Sequence, residues 1–114
     1  MTTRLYCTIM YIMPDQKLPT PVSFDWDQHN QNKNMTKHNV GSKECEEVFF
    51  NEPIIINLDR KHSQLEERFR SLGKTDKNRK LFVSYTIRNQ KIRIISARDQ
   101  NKKERQIYAQ EEKA

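Results

Sequence analysis

The sequence predicts an α+β fold: two N-terminal helices, a four-stranded antiparallel sheet and a C-terminal helix. Three observations carry this expectation. Four runs rich in β-branched or aromatic residues, at 54–58, 68–73, 81–87 and 92–97, fit a pleated, half-buried surface. The connections at 76–79 and 88–90 are too short to hold a crossover helix, so the strands they join must run antiparallel. The three helices expected, starting at Asp27, near Ser42 and at Asn101, all lie before or after these runs.

Taken in order, residues 1–21 end in Pro14, Pro19 and Pro21, which break regular structure. The apolar run before them can be an edge strand, a loose tail, or an upstream extension if synthesis starts at Met13. The reading adopted is a poorly ordered tail at 1–21 and a single domain at 22–114. Phe24-Asp25-Trp26-Asp27 opens that domain, with Asp27 capping a helix through about His38. Trp26, Met35 and Val40 are its large anchors, and Asn39 suits a left-handed stop. A second helix is expected over 42–50, with Cys45, Val48 and Phe49 on one face. A polar connection at 59–64 separates the first two strands. After the fourth strand, Asn101 is placed to cap the last helix and Glu104 to reach back to the cap. That helix offers Ile107 and Tyr108 to one side of the sheet. Strict alternation along the fourth strand would put Arg93 on the face of Ile95 and Ala97, and Arg98 on that of Ile94 and Ser96.

Charge is unevenly spread. The 114 residues carry a formal +6, but residues 60–105 hold 15 Lys/Arg against 5 Asp/Glu, a net of +10, and the remainder is −4. A basic half suits a polyanion, and a lysine-rich solubilising surface accounts for it equally well. Two cysteines, Cys7 and Cys45, make no disulfide framework, and the three histidines form no ligand motif with them. With only Gly41 and Gly73, a glycine-rich phosphate loop is excluded. The apolar run at 5–13 is far short of the ~20 residues of a membrane helix and lacks a signal-peptide cleavage pattern. The expectation is a cytoplasmic protein without membrane, metal or cofactor.

One constellation can do chemistry. His62, Glu66 and Arg68 lie within seven residues. Cleaving RNA without metal needs a base for the 2′-hydroxyl, an acid for the leaving oxygen and cations for the phosphorane. His62 or Glu66 can be the base, and Arg68, Arg93 and Arg98 can hold the charge. Against this, a Glu66–Arg68 surface pair worth ~0–1 kcal/mol, with His62 solvated, uses the same residues. So do pairs of Arg93 and Arg98 with Glu66, Glu67 or Glu104. Tyr108 can stack on a base, donate a proton or simply pack.

The ordered set Phe24-Asp25-Trp26-Asp27, Asn34, Lys37-His38, Val48-Phe49, Pro53, His62-Ser63, Glu66, Arg68-Phe69, Gly73, Arg93-Ile94-Ile95-Ser96-Ala97-Arg98, Glu104-Arg105 and Tyr108 resembles the BrnT family of type II toxins over roughly residues 24–112. The resemblance implies a RelE-like fold and a metal-independent endoribonuclease that arrests translation. It also implies a BrnA-like ribbon-helix-helix antitoxin, with operator DNA bound only through that complex. By position it carries over His62, Glu66, Arg68, Arg93 and Arg98 as catalytic candidates, with Glu104, Arg105 and Tyr108 beside them. Lys91, Lys102, Arg105 and Tyr108 are the RNA-binding candidates. Asn30, Asn39 and Ser42 depart from the family pattern. A non-catalytic nucleic-acid-binding module, or a degenerate toxin that keeps only antitoxin binding, are the competing readings.

Overall fold

The computed structural model describes residues 22–28, 38–62 and 65–113. Their elements are α1 (Ser42–Val48), β1 (Ile55–Leu58), a 3₁₀ turn (Arg60–His62), β2 (Arg68–Lys74), β3 (Lys80–Arg88), β4 (Lys91–Asp99) and α2 (Lys102–Lys113). The strands form one sheet in the order β1-β2-β3-β4, every neighbour antiparallel, as the short connections require. Two helices occur among the described residues. α1 stands where the second N-terminal helix is expected. Residues 29–37, the body of the first, lie outside the described residues, as does the expected tail at 1–21.

Turn chemistry explains the register. Asn89 and Gln90 have φ of 51° and 64°. Positive φ at both central residues gives a two-residue hairpin the twist of its strands. Asn78, at φ 68°, turns the β2–β3 connection, and Asn39, at φ 56°, takes the left-handed stop expected of it. Asn101 and Glu104 form the predicted reciprocal cap of α2, at 2.8 and 2.9 Å.

One face of the sheet makes the core. Ile56, Phe69, Leu81, Val83, Tyr85, Ile92, Ile94 and Ala97 pack there with Val40, Cys45, Val48 and Phe49 from the α1 side. Burial pushes the Cys45 thiol up to about 12, with Glu44 and Glu46 adding to it, so this free cysteine stays protonated. Phe49 meets Tyr85 edge-on and Tyr85 stacks on Phe69. α1 sits close enough that a Cβ on Gly73 would meet Val48 Cγ1 at 2.6 Å. The edge of β4 is covered where Ser23 and Asp25 exchange backbone hydrogen bonds with Ile92, both 2.8 Å. Trp26, half-buried against this core, donates to Glu46 at 2.8 Å.

Strict alternation fails in β4, and the failure matters. Tyr85 pairs with Ile94 but Ser84 pairs with Ser96, so Ile95 is an extra residue on β4. Ile92, Ile94 and Ala97 therefore all face the core. Arg93, Ser96 and Arg98 share the opposite face, which corrects the expectation that the two arginines diverge.

Candidate active site

The second face of the sheet is only partly covered. α2 lies over one end, where Tyr108 packs with Ile55 and Leu72. Tyr108 is 1% exposed and donates its hydroxyl to the Pro53 carbonyl, and burial raises its pKa. It anchors the helix by packing, one of the three roles the sequence leaves open to it. Beyond that end the sheet presents polar rows set by register. Arg68, Thr86 and Arg93 form one, Arg70, Ser84 and Ser96 the next, and Leu72, Phe82 and Arg98 the third. The bulge at Ile95 is what brings Arg93 and Arg98 into line with the β2 arginines.

His62 closes the 3₁₀ turn after β1. Its Nδ1 lies 2.9 Å from Oδ2 of Asp59. A carboxylate only accepts, so Nδ1 carries the proton and Nε2 is left to exchange one. Asp59 is buried. Burial alone would raise its pKa, but the His62 hydrogen bond and charge, with Arg70 nearby, hold it below the usual carboxylate range. The imidazole itself stays more than half exposed.

Glu66 pairs with Arg88, at 3.1 and 3.2 Å, and not with Arg68. That hydrogen bond lowers the Glu66 pKa against a smaller burial effect, with Arg68 and Arg93 lowering it further. Glu66 is thus ionised at neutral pH, with its carboxylate engaged by Arg88. Lys61, His62, Glu66, Arg68 and Arg88, with the fully exposed Leu65, line a charged hollow of about 470 Å³.

Arg98 and Arg93 are held by carboxylates. Arg98 engages Glu104 with both terminal nitrogens, at 2.8 and 3.0 Å, and the Asp99 carbonyl at 3.1 Å. Its guanidinium lies 4.1 Å above the Phe82 ring. Burial would raise the Glu104 pKa, but Arg98 and the Asn101 N–H outweigh it, so the pair is charged at neutral pH. Of five guanidinium N–H groups three are engaged, which leaves two for a ligand. Arg93 reaches Asp27 at 2.7 Å and Asp25 at 3.6 Å. Arg105 donates to the Gln100 carbonyl at 2.7 Å, bracing the start of α2. Lys91 and Lys102 are exposed, at the β3–β4 hairpin and the first turn of α2.

Asp59, Arg70, Phe82 and Arg88 are absent from the sequence-derived set. Arg70 was legible, since alternation from Arg68 puts both on one face. Its field lowers both Asp59 and Glu104, so it sits between the His62–Asp59 pair and the Arg98–Glu104 pair. Among the described residues no group of three His, Cys, Asp or Glu is placed to hold a metal, and no helix is long and apolar enough to cross a membrane.

The family model for BrnT, ribonuclease toxin of type II toxin–antitoxin systems, matches residues 26–104. The chain belongs to the BrnT family. No curated protein matches it. As a BrnT ribonuclease toxin it has an RNA substrate and an antitoxin partner. The matched span takes in every candidate from Asp59 to Glu104 and stops short of Arg105 and Tyr108.

Proposed function

We propose that this BrnT protein is a metal-independent endoribonuclease whose reaction runs at the His62 end of the open sheet face, and that cutting RNA there inhibits translation. His62 Nε2 takes the proton of a 2′-hydroxyl. The 2′-oxygen bonds to phosphorus, the bond to the 5′-oxygen breaks, and that oxygen takes a proton from water. The products are a 2′,3′-cyclic phosphate and a 5′-hydroxyl. Asp59 fixes the imidazole. Arg68, Arg93 and Arg98, with Arg70, supply the positive charge that a metal would otherwise bring to the phosphorane, and Glu66 holds Arg88 at the rim. Lys91, Lys102 and Arg105 meet flanking phosphates. The single observation that carries the reading is the row of arginines on one face, aligned by the bulge, beside an imidazole of fixed tautomer.

The antiparallel sheet with a C-terminal helix suits a RelE-like arrangement completed by an N-terminal helical pair. A BrnA-like ribbon-helix-helix antitoxin is the partner that fits, and operator DNA is reached only through it. In the cell the reaction takes place in the cytoplasm.

The test is cleavage of labelled RNA by purified protein in EDTA. The expected outcome is cyclic-phosphate ends, with Arg93→Ala and Arg98→Ala each slowing cleavage about 10²–10³-fold, the usual cost of losing one preorganised donor. Melting temperatures should change little, because such partly exposed pairs contribute about 1 kcal/mol at most. Wild-type rates in both variants, or cleavage that requires added metal, would refute the reading.

A further inference from the structure

Two hollows open on either side of His62, and they differ in chemistry. The one toward Arg68 and Arg88 has charged Lys61, Glu66, Arg68 and Arg88 around His62 and Leu65. The other, about 660 Å³, has Asn57, Asp59, Arg70 and Phe82 among its walls. Lys61 and His62 line both. The second volume lies within the roughly 300–1,000 Å³ of small-ligand sites. Among the described residues lining the two hollows, it alone holds a phenyl ring and a side-chain amide, groups that can stack on a base and read its edge.

The placement of both groups is fixed by the sheet. Phe82 is the one aromatic among the strand residues of the open face. Its β4 neighbour Arg98 covers one side of the ring, at 4.1 Å, which sets the ring's attitude. The hollow lies toward β1 and β2, away from Arg98. Asn57, exposed on β1, is directly opposite Arg70 in register. Its amide offers one donor beside one acceptor. That pattern matches base edges that alternate donor and acceptor, as in adenine, and not the paired acceptors of guanine's major-groove edge.

We infer that the hollow between β1 and Phe82 is a base-specificity pocket, in which the base next to the scissile phosphate stacks on Phe82 and is read by the amide of Asn57. This deepens the ribonuclease reading above and rests on it for the position of the scissile phosphate at His62. Arg70, between the two groups, then meets the phosphate of the same nucleotide.

The experiment has two arms. In the first, cleavage sites are mapped in a random-sequence RNA pool for the wild type, Asn57→Ala, Phe82→Ala and Phe82→Trp. The wild type is expected to prefer one base at one flanking position. Asn57→Ala should flatten that preference with little change in kcat. Phe82→Ala should raise KM about 10- to 100-fold, the range of one lost base–aromatic stack, and Phe82→Trp should restore it. In the second arm, uncleavable 2′-O-methyl oligonucleotides are titrated by fluorescence anisotropy, with and without an abasic position. Removing the base should weaken binding to the wild type and not to Phe82→Ala. If RNA is cut but neither variant alters preference or KM, the pocket is refuted and the ribonuclease stands. If no RNA is cut but the abasic discrimination persists and is lost in Phe82→Ala, the pocket stands and the proposed chemistry falls. Equal binding of abasic and intact oligonucleotides to the wild type overturns the inference.

Discussion

At the residue scale the proposed chemistry turns on which nitrogen of His62 carries its proton. Asp59 decides that, and it does so from a buried position with its own charge stabilised by the imidazole it orients. Replacing it with asparagine keeps the volume but removes the obligation to accept, because an amide can equally present its N–H₂ group to Nδ1 and so favour the wrong tautomer. Asp59→Asn is therefore expected to lower kcat about 10²-fold, the low end of what a positioned acid–base group contributes, while KM stays near the wild-type value. Single-turnover cleavage across pH is the check. A merely structural Asp59 would leave the shape of the pH–rate profile unchanged, and such a profile in Asp59→Asn would remove Asp59 from the orienting role. The hydrogen bond joins residues three apart, across a turn whose polar sequence gives no sign of it. His62 and Glu66 stand out in the sequence because they are ionisable and close to Arg68. Asp59 reads only as the first residue of a polar connection until the backbone turns.

At the scale of elements, the site depends on how tightly α1 is pressed to the sheet and on one extra residue in β4. At Gly73 the helix comes close, and the atom that a methyl group would strike belongs to Val48, a stiff and fully buried side chain. Gly73→Ala is expected to cost about 1–3 kcal/mol, as overpacking of a close-packed core does. Denaturant unfolding measures it, and a midpoint equal to the wild type's would show that α1 can lift away freely. The alternating runs, turn residues and Asn101–Glu104 cap made the four strands and α2 legible, since each is a local signal that tertiary structure does not override. The Ile95 bulge was not legible. The run Ile94-Ile95-Ser96-Ala97 reads as an unbroken strand, and the extra residue declares itself only when its partner on β3 fixes the count. Because a one-residue shift exchanges the faces, that single uncounted residue moves Arg98 from the expected face to the one that Arg93 occupies. Tyr108 was ambiguous for a different reason. An aromatic on a covering helix carries the same letter whether it packs or stacks, and only the contact with Ile55 and Leu72 distinguishes the two.

At the scale of the whole molecule, charge is arranged in clamps, and in four of them the carboxylate is held below its usual range. An Arg79 hydrogen bond does this for Asp99 and an Arg88 hydrogen bond for Glu66. For Glu104 and Asp59, Arg98 and His62 outweigh the opposing effect of burial. Folded values below the unfolded ones mean that this stabilisation is complete above the ordinary carboxylate range, near pH 4, and is lost as pH falls through the depressed values. The melting temperature should hold level from pH 8 to about 5 and fall below about 4, and a Tm unchanged at pH 3 would show that the clamps contribute nothing. The same distribution bears on the antitoxin. Residues 60–105 carry the +10, and five of their arginines, Arg68, Arg70, Arg88, Arg93 and Arg98, lie along the open face. The opposite face is closed under α1 and the strip around Phe24. An inhibitor that silences the site must cover the basic face, and an acidic or amphipathic segment is what the field there would draw in. Stopped-flow association with the antitoxin should then slow at least about 10-fold between dilute and molar salt, with dissociation much less affected. An on-rate independent of salt would move the interface to apolar surface, and Phe50, 63% exposed beside Phe24 at the end of α1, is one place for it to start.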